Sequence, residues 1–143
     1  MAYRAWRIAS SGVLLSCTCD CIWKPRERMY AICNIADHEG GAPAWRCYCG
    51  LYAYKTLAAL RASNYMEATA APALFKHPPG ALTVSGRVAL WGRVVDHELG
   101  YRAEYAYPQV LHLRGDRLDD SIRRLADHYA IECVPSAASA ESG

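Results

Sequence analysis

Apolar and polar positions alternate most clearly over Leu82–Leu113. From Arg87 to Val95, strand geometry places Val88, Leu90, Gly92 and Val94 on one face and Ala89, Trp91, Arg93 and Val95 on the other. Tyr101–Tyr107 alternates again, with Tyr101, Ala103, Tyr105 and Tyr107 on one face and Arg102, Glu104 and Ala106 on the opposite one. Asp96–Gly100 between them is a polar turn ending in glycine. Two such runs joined by so short a turn predict an antiparallel hairpin. Pro108 is expected to end the second strand or to sit at an edge, with pairing resumed over Val110–Leu113.

Upstream, Tyr3–Ile8 alternates and predicts a strand, and Ser10–Gly12 is a turn signal. Val13–Trp23 predicts a second strand, in which Cys17, Cys19 and Cys21 would share a face. Pro25, among the charges of Lys24–Arg28, breaks it. Met29–Ile35 is a short apolar segment compatible with a helix. Leu51–Ala62 is rich in helix formers, and Leu51, Tyr54 and Ala58 recur at helical spacing. Ser63–Pro79 reads as a connection. The clearest helix covers about 118–131. Asp116 is its expected N-cap, Asp119 and Asp120 suit the first turn, and Leu118, Ile122, Leu125 and Tyr129 form its apolar stripe. Ile131–Val134 can add a last strand. The predicted fold is α+β, a small antiparallel sheet or partial barrel with two packed helices, about 51–62 and 118–131. Residues 1–134 form a single domain in this reading, and 135–143 a disordered tail.

Composition narrows the function classes. The chain has 143 residues, of which 52% are hydrophobic and 21% charged, so it can bury a sizeable core. A formal charge of +2 is too balanced to argue for nucleic acid by itself. No apolar run reaches the length of a membrane span or a signal-peptide core, which predicts a cytoplasmic protein without a membrane partner. The seven cysteines are an odd number, so they cannot all pair within the chain, and without a secretion signal reduced thiols are the default.

Clustered thiols point to metal. Cys33, His38, Cys47 and Cys49 follow the spacing C-x4-H-x8-C-x-C-G, and zinc takes four such thiolate and imidazole ligands in a tetrahedron. Gly50 would let the backbone turn beside them. Buried apolar thiols are the competing reading, and for Cys17, Cys19, Cys21 and Cys133 core packing is preferred.

The hairpin suggests a contact surface made of Trp91, Tyr101, Arg102, Glu104, Tyr105 and Tyr107, because aromatic rings and arginine are common interface anchors. The alternative is that the tyrosines pack on the helix at 118–131 while Arg102 and Glu104 pair across strands. His112, between Leu111 and Leu113, is read as facing solvent.

Two strings carry a resemblance. Cys47-Tyr48-Cys49-Gly50-Leu51-Tyr52-Ala53, with His38 and Pro43 before it, resembles the C-x-C-G-[IL]-Y-A element of a group of short uncharacterised bacterial and phage proteins. Gly86–Pro108 resembles the same group's G-x-V-x-L-W-G-x-V…G-Y-R-A-x-x-A-Y-P element, and Tyr3-Arg4-Ala5-Trp6 also fits. The likeness covers most of Tyr3–Val134 and implies a single domain. It implies no catalytic residue, because no activity is established for the group.

The leading expectation is a small cytosolic binding or adaptor protein with a protein partner and structural zinc. One alternative is a nucleic-acid-associated accessory protein, which needs Arg4, Arg7, Lys24, Arg26, Arg28 and Arg46 to converge. The other is a small enzyme with His97, Glu98, Arg102 and Glu104 around a cleft at the 96–104 turn.

Overall fold

The computed structural model describes residues 1–17, 21–32, 43, 49–63 and 82–136. Its strands are β1 (Tyr3–Ile8), β2 (Leu14–Leu15), β3 (Ile22–Trp23), β4 (Met29–Tyr30), β5 (Leu51–Tyr54), β6 (Thr83–Asp96), β7 (Gly100–Leu113) and β8 (Glu132–Pro135). Helices α1 (Leu57–Ala62) and α2 (Asp119–Tyr129) pack on them. The class is α+β. None of the described helices is long and apolar enough to cross a membrane.

The β6–β7 hairpin is the backbone of the sheet. β6 pairs with β1 on its other side from Thr83 to Arg87, and β7 carries β5, β4 and β8 in turn along its other side. Tyr3 of β1 pairs with Arg87 of β6 and also with Tyr54 of β5. The strands β1–β6–β7–β5 therefore close a ring. All pairings are antiparallel except β7 with β8. That parallel pair needs a crossover, and α2 supplies it.

Two register shifts bend the long hairpin, one between Arg87 and Val88 and one between Trp91 and Val94. The second is a glycine bulge. Gly92 has φ 76°, and it and Arg93 together oppose Glu104. Inserting one residue reverses the alternation beyond it. Val88 is buried, but Val94 is 41% exposed and Val95 is buried instead. Strict alternation had placed Val94 with Val88. Pro108 lies inside β7, not at its end, next to the other shift, where the ladder is already interrupted.

Other boundaries also differ from expectation. Leu51–Tyr54 is a strand paired with β7, and the helix begins only at Leu57 after the Thr56 N-cap, whose hydroxyl accepts from the Ala59 N–H at 3.1 Å. The alternating Leu-Tyr-Ala-Tyr suits a sheet, and β7 is there to receive it. Val13–Trp23 is not one strand but two short ones, Leu14 facing Trp23. Met29–Tyr30 is a strand, not part of a helix. The helix at 118–131 is present as Asp119–Tyr129. Leu118 occupies its N-cap, while Asp116 accepts from the Leu118 N–H at 2.9 Å and Asp119 from the Arg114 and Gly115 N–H groups.

The main core gathers Trp6, Leu14, Trp23, Val84, Val88, Leu111, Ile122, Leu125 and Tyr129. Trp6 and Trp23 meet edge to face at 5.6 Å. Each ring adds about 4–6 kcal/mol of apolar burial as an upper bound. Gly86 lets this happen, since a Cβ there would sit 2.1 Å from the Val110 carbonyl oxygen and 3.2 Å from the Trp6 ring. A second small cluster, Ala5, Cys17, Leu57 and Leu60, lies beneath α1 on the other face of β1.

Candidate functional site

The outer face of the hairpin carries a stack of three side chains. Trp91 and Tyr105 are opposite each other in register, and their rings stack at 6.0 Å. The Arg28 guanidinium lies 4.2 Å over the Tyr105 ring. Arg28 reaches it because β4 pairs with β7 at Tyr105 and Ala106, which lays the β3–β4 loop across this face. Such an Arg–Tyr contact is worth about 0.5–1 kcal/mol where water reaches it.

Tyr107 fixes the loop. Its hydroxyl accepts from the Arg26 N–H at 2.7 Å and donates to the Tyr129 carbonyl at 2.7 Å. Arg26 has φ 62° and Ala130 φ 57°, and they are the described non-glycine residues with positive φ. Both border one open concavity of about 410 Å³, with Arg28, Trp91, Tyr107 and Tyr129. Each left-handed residue costs on the order of 1 kcal/mol and persists because its surroundings hold it. Trp91 is 39% exposed, and Lys24, Arg26 and Arg28 are exposed. Among the described residues, neither Arg26 nor Arg28 forms an ion pair with a carboxylate.

The other residues expected in this surface are placed differently. Tyr101 is half-buried against the core, with Lys55 Nζ 5.3 Å from its ring centre. Lys55 pairs with Asp96, and the hydrogen bond to that carboxylate raises the lysine's pKa. Arg102 is turned inward. Its Nη1 donates to the Cys49 carbonyl at 2.9 Å and its Nε to His97 Nε2 at 2.8 Å. Glu104 accepts from the Arg93 backbone N–H at 3.0 Å, whereas the Arg93 guanidinium reaches the Pro43 carbonyl at 3.4 Å. His97 and Glu98 are exposed in the turn.

Of the arginines expected to form a basic patch, Arg4 and Arg7 serve the interior. Arg4 lies 4.7 Å over the Trp23 ring and donates to the Tyr52 carbonyl, and Arg7 donates to the Ser16 carbonyl at 3.0 Å. Lys24, Arg26 and Arg28 share the β3–β4 loop. Arg46 lies outside the described residues.

Three of the four expected zinc ligands, Cys33, His38 and Cys47, also lie outside them. Cys49 is buried. Among the described residues no three His, Cys, Asp or Glu side chains group as metal ligands. Cys17 is buried and donates weakly to the Ala5 carbonyl, and burial raises its pKa against the opposing pull of Arg4 and Arg7. Cys21 is exposed and disulfide-bonded, whereas reduced thiols had been expected throughout. It shares no strand with Cys17, so the two do not form the same-face series read from their spacing.

Sequence reasoning missed a second polar group. Ser85 Oγ and His112 Nδ1 are 3.0 Å apart and both residues are buried. His112 does not face solvent: it is buried, with the Tyr3 ring of β1 6.3 Å from its own. The only signal was two polar residues at cross-strand positions, and reading it required the register.

Comparison with protein-family models, with curated proteins and with solved structures finds no match.

Proposed function

We propose that the protein is a small cytosolic binding or adaptor protein that engages a partner through the Trp91–Tyr105–Arg28 face. The carrying observation is that an exposed tryptophan, stacked on Tyr105, shares one concavity with two arginines that no described carboxylate neutralises. Interface energy concentrates in such Trp, Tyr and Arg anchors. The free guanidinium charge selects a partner segment bearing carboxylates, since charge-assisted bonds to arginine are the strong ones.

A second reading has one specific support. Stacked rings beside arginines also suit a single-stranded nucleic acid, with a base on Trp91 and phosphates at Arg26 and Arg28. Structural zinc at Cys33, His38, Cys47 and Cys49 belongs to the same proposal, and their C-x4-H-x8-C-x-C-G spacing is what supports it. The likeness to the bacterial and phage group adds no catalytic residue to either reading.

A photocrosslinking amino acid at position 91, with position 120 on α2 as control, tests the proposal in extract of the native host. The expected result is a discrete adduct formed from 91 alone, lost in Arg28→Glu and resistant to nuclease. A nuclease-sensitive adduct would transfer the surface to nucleic acid. Identical adducts from both positions, or indifference to Arg28→Glu, would end the idea that this face recognises anything.

A further inference from the structure

Ser85 and His112 sit one step beyond the paired Gly86 and Leu111, so they are cross-strand neighbours on one face of β6 and β7. Thr83 shares that face. α1 packs Leu60 against Ala5 close by, which brings Arg61 to the same place. From the other side comes Arg114, directly after β7, whose Nη1 donates to the Thr83 carbonyl at 3.4 Å. A cavity of about 240 Å³ lies between them, bordered by Arg61, Thr83, Ser85, His112, Arg114 and Ser136. At roughly 30 Å³ per water, it has room for a small tetrahedral ion with some of its hydration.

The polar groups here are arranged as donors. If the Ser85 hydroxyl donates to Nδ1, the neutral imidazole carries its proton on Nε2. Among the described residues Nε2 makes no hydrogen bond. Burial lowers the pKa of His112, and the charges of Arg87 and then Arg61 lower it further, so the ring is neutral near pH 7. The charged groups around it are Arg61 on α1, Arg87 on β6 and Arg114 after β7. Asp116 is the nearby carboxylate, and it pairs with Arg114 Nε at 3.2 Å. Ser beside His also resembles a nucleophile and its base, but no described carboxylate orients this imidazole. The surplus of positive charge is suited to holding an anion.

We propose that this cavity binds a small oxyanion of the phosphate class, gripped by Arg61 and Arg114 and oriented by the His112 Nε2–H, with Ser85 holding the imidazole in that tautomer. The site is built from residues other than those of the recognition face, so either can fail without the other.

The test is a titration of isotope-labelled protein with inorganic phosphate, read by NMR at fixed pH and ionic strength with chloride as the balancing salt. Saturable shifts of the His112 ring signals and the Ser85 amide are expected. Arg61→Ala should weaken binding by about tenfold or more, because one charge-assisted contact is lost. Arg61 is exposed, so this variant keeps the fold, and Arg123→Ala on α2 serves as a charge-matched control with unchanged affinity. Phenyl phosphate in a parallel titration separates the sources. Tighter binding than inorganic phosphate indicates a phosphate ester, and weaker binding the free anion. Shifts that never saturate, or equal affinity in wild type and Arg61→Ala, would overturn the assignment.

Discussion

Tyr129→Phe removes one oxygen and should destabilise the protein severely. The Tyr129 ring is 1% exposed at the end of α2. Its hydroxyl accepts from the Leu14 N–H at 2.7 Å and donates to the Trp23 carbonyl. Leu14 and Trp23 face each other in the β2–β3 pair, so the hydroxyl stands between two backbone groups of opposed strands. Leu14 and Trp23 are as buried as the tyrosine, and water cannot easily replace the oxygen. Each backbone group left unsatisfied in the interior costs about 1–3 kcal/mol, which gives roughly 2–6 kcal/mol for the pair. A loss of about 3 kcal/mol corresponds to a fall in Tm of roughly 6–12 °C for a chain of this size. Urea unfolding is the assay, with the midpoint moving and the slope unchanged. Tyr105→Phe is the control, since its ring stacks outside the core, and it should stay within about 0.5 kcal/mol of wild type. A Tyr129→Phe loss no larger than that of the control would refute the bridge.

Three further outcomes are expected. Gly92→Ala puts a side chain at φ 76°, with its Cβ 2.7 Å from both Glu104 Oε1 and the Tyr105 ring; stability should fall by about 1–3 kcal/mol and crosslinking from position 91 should weaken. For His112, whose pKa in the fold lies below the ordinary histidine value of 6.5 because of burial, the unfolded chain takes up the proton first. Its contribution to stability is therefore present above pH 6.5 and lost as the pH falls toward the folded value. His112→Gln should flatten that slope in urea titrations at successive pH values, and an unchanged slope would show that another group sets it. Elemental analysis of protein purified without added metal should find zinc near one per chain, with Cys49→Ser losing both metal and stability; metal-free protein that still folds would count against a structural site.

Periodicity made the hairpin and α2 readable, because each is long enough for its repeat to stand out. Gly92 was counted as one more step in an alternation, although its positive φ makes it the point where the alternation reverses. Nothing local distinguishes those two roles of a glycine. Leu51–Tyr54 fits a helical spacing and a strand spacing equally, and only the presence of β7 beside it decides. The parallel placement of β8 was out of reach because it depends on where α2 returns the chain. At the outer face of the hairpin Trp91, Tyr105 and Tyr107 could be nominated from the strand pattern. Arg26 and Arg28 were read as loop charges and as members of a basic patch with Arg4 and Arg7, not as neighbours of Trp91 and Tyr105, since their place depends on the pairing of β4 with β7. Arg102 was named as a contact residue because arginine is a common interface anchor, yet its guanidinium is satisfied inside by Cys49 and His97.

The closed ring has a bearing on how this molecule meets others. β1 has β6 on one flank and β2 and β5 on the other, while β7 is flanked by β6 and by β5, β4 and β8. The two strands with the most neighbours thus offer little open main chain for a foreign strand to zip onto, which is a common first step in fibril growth. Any contact with another molecule on that part of the surface would have to be made by side chains, and it could therefore be altered one residue at a time.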